Sequence, residues 1–189
     1  MKIQLIIGST RPGRVGPQIA DWILKQLPVT TETTCELIDL NGFNLPLFDE
    51  PALPSMSQYT HDYTKKWSQK IKEGDAYIFL TPEYNAGYPA ALKNAIDYLY
   101  HEWTDKPVLI VSYGAHGGLS AQAQLLQVAE RLKMKPVPLR PAFTITPEIT
   151  AEDRTIANID QSFAQYAQSV KTAVAQLLDA GTTPDAKIA

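Results

Sequence analysis

Short apolar runs alternate along the chain with stretches whose apolar residues recur every three or four positions. IQLII (3–7), CELIDL (35–40), AYIFL (76–80), VLIVS (108–112) and, more weakly, PVPLR (136–140) read as strands. The first, third and fourth are nearly continuous aliphatic runs, the pattern of central strands covered on both faces. Between the first two, Ile19, Trp22, Ile23 and Leu27 share one face of a helix that opens at Pro17, which places Trp22 in the core. Further helices are expected over 57–72, 89–103 and 119–132, with a long C-terminal one over 151–178. Strand and helix in strict alternation means an α/β fold: parallel strands joined by right-handed crossovers, with helices on both faces of the sheet. Five strands favour the order 2-1-3-4-5 over a six-stranded dinucleotide fold. The proline-rich stretch NGFNLPLFDEPALPS (41–55) is a long loop of the kind that serves a function or an interface. Residues 1–179 are expected to form one domain, and 180–189 a loose tail.

Composition narrows the function classes. The 189 residues are 44% hydrophobic and 20% charged, which suits one globular domain with a full core. A net charge of −3 argues against a nucleic-acid or polybasic membrane surface. Cys35 is the single cysteine, so no intrachain disulfide forms, and its place in a strand suits a buried, inert thiol. The N-terminal MKIQLIIGS is too short an apolar run for a signal peptide, and no stretch reaches the length of a membrane span. The expected location is the cytoplasm. His61, His101 and His116 stand far apart without a metal-ligand motif, so no metal site is expected.

In such a sheet, ligands bind beyond the carboxyl ends of the strands. The segments leaving the first, third and fourth strands are GSTRPGRVG, TPEYNAGYPA and SYGAHGGLS, all rich in glycine, proline and small polar residues. The first nearly spells a triphosphate-binding loop. However, Arg14 stands where that loop needs lysine, and Val15 where it needs a magnesium-holding hydroxyl. What survives is a seat for one terminal phosphate: backbone N–H groups, the Ser9 and Thr10 hydroxyls, Arg11, Arg14 and a helix N-terminus. In the second loop, Pro82 and Asn85 stiffen a turn whose N–H groups would point outward as donors, and Tyr84 offers a ring face, a subunit contact or a rim residue. In the third, Gly114, Gly117 and Gly118 give backbone able to lie beside a ring edge. His116 reads as an exposed turn residue. Ser120 lies outside any nucleophile elbow, and Asp39 reads as a polar strand end.

A magnesium-free monophosphate seat facing two loops suited to a planar ring describes a site for FMN. In GSTRPGR, PEYNAGYPAALKNAIDYLYHEW and SYGAHGG, in that order, the chain resembles the NAD(P)H-dependent FMN reductases of the flavodoxin-like superfamily, particularly the small quinone and azo-dye reductases. The resemblance implies a five-stranded flavodoxin-like sheet. It implies that Ser9, Arg11, Arg14, Val15 and Gly16 bind the FMN phosphate, and that Pro82, Glu83, Tyr84 and Asn85 contact the ring and ribityl chain, largely through backbone. Ser112, Tyr113, Gly114, Gly117 and Gly118 would flank the other side. It also implies a homodimer, in some cases paired into tetramers, for which the helix carrying Tyr98, Tyr100 and Trp103 offers aromatic surface. The expected chemistry is ping-pong, with NAD(P)H as co-substrate and a quinone, azo dye or free flavin as acceptor, and with no obligatory catalytic acid or base. The alternatives are a flavodoxin-type electron carrier and a flavin-free interaction module. Carriers of that kind tend to be strongly acidic, and the intact Ser9, Arg11 and Arg14 set opposes the second.

Overall fold

The structure, a computed structural model, describes residues 1–28 and 32–182. Its elements are β1 (Lys2–Ile7), α1 (Gly16–Leu24), β2 (Thr34–Asp39), α2 (Asp62–Lys72), β3 (Ala76–Pro82), α3 (Ala90–Asp97), β4 (Pro107–Gly114), α4 (Leu119–Arg131), β5 (Lys135–Pro136), β6 (Ala142–Thr144), α5 (Ile159–Ser162) and α6 (Ala167–Thr182). The strands pair in the order β2-β1-β3-β4-β5, all parallel, with β6 also on β4. This is the expected doubly wound sheet.

Alternate residues of each strand feed opposite cores, because successive side chains leave a strand on opposite faces. Ile3, Leu5, Ile7, Ile78 and Leu80 pack with Ile19, Trp22 and Ile23 of α1 and Val170, Val174 and Leu177 of α6. Ile6, Tyr77, Phe79 and Ile110 pack on the other side against Trp67 and Ile71 of α2, Leu92 and Ile96 of α3, and Leu125 of α4. Trp22 is 2% exposed, as its place on the helix face requires. Cys35 is half-buried, and desolvation pushes its thiol up to about 11.

Several local expectations are corrected. The fifth strand is not one run over 136–140 but two short pieces, β5 and β6. Pro136, Pro138 and Pro141 have no N–H for a ladder, and Leu139 N–H turns instead to Gln176 Oε1 at 3.0 Å. The long C-terminal helix is broken, because Arg154 and Asn158 take left-handed φ of 67° and 43° and Thr150 bridges Ile156. Its last part, α6, runs to Thr182, three residues into the segment expected to be loose; residues 183–189 lie outside the described residues. The helix expected from 57 begins at Asp62, because Ser57 is left-handed and the Glu50 carboxylate holds the N–H groups of Thr60 and His61. The helix expected over 89–103 ends as an α-helix at Asp97, and Tyr98 and Trp103 are both fully buried. They form core and not an aromatic surface: Trp103 donates Nε1–H to the Ile96 carbonyl at 3.1 Å and packs edge-on against Tyr77.

Candidate functional site

The loops after β1, β3 and β4 meet at one edge of the sheet, and hydrogen bonds tie them to each other. Ser9, fully buried, shares a 2.6 Å hydrogen bond with the Tyr84 hydroxyl, joining the first loop to the second. The Glu83 carboxylate accepts the Ser120 and Ala121 N–H groups at 2.9 and 3.3 Å, joining the second to the third. A carboxylate on the first N–H groups of α4 also complements the positive end of that helix.

Each loop has a local cause. In the first, Gly8 approaches so closely that a Cβ there would lie 2.8 Å from Leu92 Cδ2, and its N–H bonds the Leu80 carbonyl. Arg11-Pro12-Gly13-Arg14 is a turn closed by Arg14 N–H on the Arg11 carbonyl, with Gly13 at φ 70° where the turn needs a left-handed residue. Helix α1 then starts behind Val15 with proline in its first turn and no side-chain cap, leaving early N–H groups open. Arg11 is exposed. Arg14 is mostly buried, meets the Asp39 carboxylate through Nη2, and keeps its Nε buried with no partner. Gly16 sits under the Tyr113 hydroxyl, 3.0 Å from where its Cβ would be. Burial raises the Tyr113 phenol far above its ordinary range, and the neighbouring Tyr84 adds to the shift.

In the second loop, Tyr84 and Gly87 exchange backbone hydrogen bonds across a two-residue turn in which Asn85 and Ala86 both have positive φ. The structure departs here from the outward-pointing donors expected of this loop. The Glu83 N–H donates to the Tyr113 carbonyl and the Tyr84 N–H to the Gly87 carbonyl, so neither faces out. Pro82 is buried, and Asn85 is exposed at the tip. In the third loop, Ser112 is buried and its hydroxyl bonds the Gly117 carbonyl at 2.7 Å. Gly117 and Gly118 are buried as well, and the Gly117 N–H goes to Gly114. Of the candidates on this loop, Gly114 alone is partly exposed, and the tip that reaches solvent is Ala115-His116.

Two contributors went unassigned in the sequence. Asp39 ends β2 directly opposite Ile7, so its carboxylate reaches the first loop. The register of adjacent parallel strands is the signal that could have found it. Asn94, on α3, holds the 41–55 loop by donating to the Pro46 carbonyl at 2.6 Å and accepting the Phe48 N–H at 2.8 Å. Together with Thr10, Asn41 and Asn44 it lines a cavity of about 250 Å³ beside the first loop. Among the described residues no three His, Cys, Asp or Glu side chains are grouped to hold a metal, and no helix is long and apolar enough to cross a membrane.

The chain matches the family model for NADPH-dependent FMN reductase over residues 1–146. It is 49% identical over 146 residues to an NAD(P)H-dependent FMN reductase of Schizosaccharomyces pombe, covering 76% of this chain and 73% of that protein. A 2-hydroxy-1,4-benzoquinone reductase of a Burkholderia species is 30% identical over 142 residues, 70% of this chain and 72% of that one. In fold it is similar to the flavoenzyme NAD(P)H:(acceptor) oxidoreductase of Paracoccus denitrificans, with a TM-score of 0.72 at 22% identity, covering 94% and 97% of the two chains. This chain belongs to the NADPH-dependent FMN reductase family.

Proposed function

We propose that the chain oxidises NAD(P)H and reduces a quinone, an azo compound or free flavin in two successive half-reactions at one site, with FMN bound across the loops after β1, β3 and β4. The observation that carries this reading is the first loop itself: a buried Ser9 hydroxyl, the uncapped start of α1, and an arginine with a buried, unpaired Nε meet in one turn. Those donors fit a dianionic phosphate that brings no metal. Ser9, Arg11, Arg14, Val15 and Gly16 would hold that phosphate, and Pro82, Glu83, Tyr84 and Asn85, with Ser112, Tyr113, Gly114, Gly117 and Gly118, would border the ring.

When bound, FMN supplies the two-electron redox chemistry. The chain's own part is position. Ser9 and Tyr84 keep the phosphate loop and the ring loop in register through their shared hydrogen bond. Glu83, on the ring loop itself, is engaged by the Ser120 and Ala121 N–H groups at the start of α4, and no side chain here is assigned as a catalytic acid or base. Identity to a benzoquinone reductase supports a quinone as acceptor. The single cysteine supports a reducing compartment, the cytoplasm. We assign the working form as a homodimer, with tetramers as a further pairing. The exposed Leu47, Leu53 and Met56, on a loop held by Asn94 and Glu50, support an interface.

The test is an absorbance scan of the purified protein after incubation with FMN, repeated under anaerobic conditions with NADPH and then with a benzoquinone. Flavin bands that bleach with NADPH and return with quinone, with no second protein present, are the expected result. Failure to take up FMN overturns the reading. Uptake without bleaching by NADPH, or by NADH added in a parallel scan, makes the chain an electron carrier.

A further inference from the structure

The Asp39 carboxylate makes two contacts at once. Oδ1 accepts the Asn41 N–H at 3.0 Å, capping the short turn that follows β2. Oδ2 meets Nη2 of Arg14. The first contact holds the carboxylate in place, and the second therefore holds the guanidinium. The engagement is one-sided. A guanidinium that is simply neutralised tends to face its carboxylate with two parallel N–H groups, whereas Arg14 uses Nη2 and leaves Nε buried without a partner. Folded chains seldom leave a buried donor in that condition unless an acceptor arrives from outside. Arg14 also belongs to the turn that delivers the chain into the uncapped α1 N-terminus, two residues before Gly16 and its Tyr113 neighbour.

We propose that Asp39 is a positioning residue for the phosphate seat: it fixes Arg14 in the rotamer that offers its free guanidinium edge to the phosphate of FMN. This rests on the reading of the β1–α1 loop as that seat. A free arginine gives up rotamer freedom when it closes on a ligand, and that loss weakens binding. Here the ordering happens on folding, through a carboxylate that is itself fixed by the Asn41 N–H. Asp39 thereby makes Arg14 a preformed contact, while the exposed Arg11 closes on the ligand from solvent.

The apoproteins of the wild type, Asp39→Ala, Asp39→Asn, Arg14→Ala and the Arg14→Ala/Asp39→Ala double variant are titrated with FMN and, separately, with riboflavin, reading quenching of flavin fluorescence. Riboflavin carries the same ring and no phosphate, so it separates an effect on the seat from a general loss of structure. The wild type is expected to prefer FMN. Asp39→Ala should bind FMN about tenfold more weakly and riboflavin unchanged, and Asp39→Asn, which can keep the Asn41 cap without the charge, should lose nearly as much. In the Arg14→Ala background, removing Asp39 should cost nothing more. FMN affinity in Asp39→Ala and Asp39→Asn that equals or exceeds the wild type would overturn the proposal and make Asp39 a counter-ion that phosphate must displace. Parallel losses for FMN and riboflavin would overturn it in favour of a structural role. A wild type that binds the two flavins equally would remove the seat itself, an outcome that a failure of Asp39 alone cannot produce.

Discussion

Gly118→Ala should destabilise the fold by about 3 kcal/mol, whereas Gly114→Ala, four residues earlier in the same loop, should cost well under about 1 kcal/mol. Both glycines are candidates for lying beside the flavin, and the structure separates them. Gly118 holds φ 71° at the N-terminus of α4, a left-handed conformation that costs an L-residue about 1–2 kcal/mol. A Cβ there would lie 2.8 Å from the Tyr113 carbonyl oxygen and 3.0 Å from its nitrogen. Those are backbone atoms of β4, so no side chain can swing aside. The carbonyl also accepts the Glu83 N–H, and moving it loosens the second loop as well. Overpacking of this kind adds about 1–3 kcal/mol. At Gly114 the nearest atom to a Cβ is 3.5 Å away and φ is not positive, so alanine meets ordinary contact.

The assay is urea denaturation of the two apoproteins followed by far-ultraviolet circular dichroism, with thermal melts alongside. For a domain of this size, about 3 kcal/mol corresponds to a fall in Tm of about 6–12 °C. Because Gly114 is the partly exposed member of the set, its alanine variant should keep its stability and bind FMN more weakly. A Gly118→Ala protein within about 0.5 kcal/mol of wild type would refute the reasoning from φ and from the Cβ distances together. So would a Gly114→Ala protein destabilised to the same degree.

Arg11→Ala should lower FMN affinity at least about tenfold and leave the urea midpoint unchanged, since Arg11 is exposed; unchanged affinity in a fluorescence titration would show the phosphate seat misassigned. Tyr84→Phe should destabilise the apoprotein by about 1 kcal/mol, because it removes the 2.6 Å partner of a fully buried Ser9 hydroxyl, and a double-mutant cycle with Ser9→Ala should return most of that as coupling energy. Burial alone would raise the Glu50 carboxyl, but hydrogen bonds, among them the Thr60 and His61 N–H groups and the Thr60 hydroxyl, bring it down to about 2. A folded-state value below the unfolded one contributes stability that is present above about 4.5 and lost as pH falls toward about 2. Urea midpoints should therefore drop over that window in the wild type, and the drop should be smaller in Glu50→Gln, which starts lower at neutral pH.

The fold was legible wherever one face or both faces of an element had to be apolar. The runs at Ile3, Ala76 and Val108 read as strands covered on both faces, and the count of five strands favoured, without fixing, the order that the sheet shows. Legibility failed where a single backbone conformation overrode the pattern. Arg154 and Asn158 break an otherwise helical stretch by taking left-handed φ, which their residue types permit and do not announce. Prolines 136, 138 and 141 left β4's outer edge to two short pieces in place of one strand. Tyr98 and Trp103 read as surface because aromatic residues near a helix end suit an interface equally well. What buries them is tertiary: Trp103 finds a carbonyl acceptor within the core, and Tyr98 bonds the Pro46 carbonyl and Asp49 on the long loop.

The same distinction explains the site. Its residue types could be named from three loops, but a sequence does not say which polar groups face out and which hold the loops in shape. Glu83 and Ser112 belong to the second kind. The Glu83 carboxylate restrains the start of α4, and the Ser112 hydroxyl binds Gly117 and accepts from Gln122 Nε2 at 3.0 Å. Groups so engaged fix where Asn85, Gly114 and the His116 tip stand. A planar redox cofactor suits such an edge, because it needs a fixed frame and a few donors more than an ionisable partner. Replacing Ser112 or Glu83 should therefore disturb flavin binding through loss of loop order, seen first as faster amide hydrogen exchange across 112–121 in the apoprotein. Normal exchange there combined with lost FMN binding would mean that these side chains touch the cofactor directly.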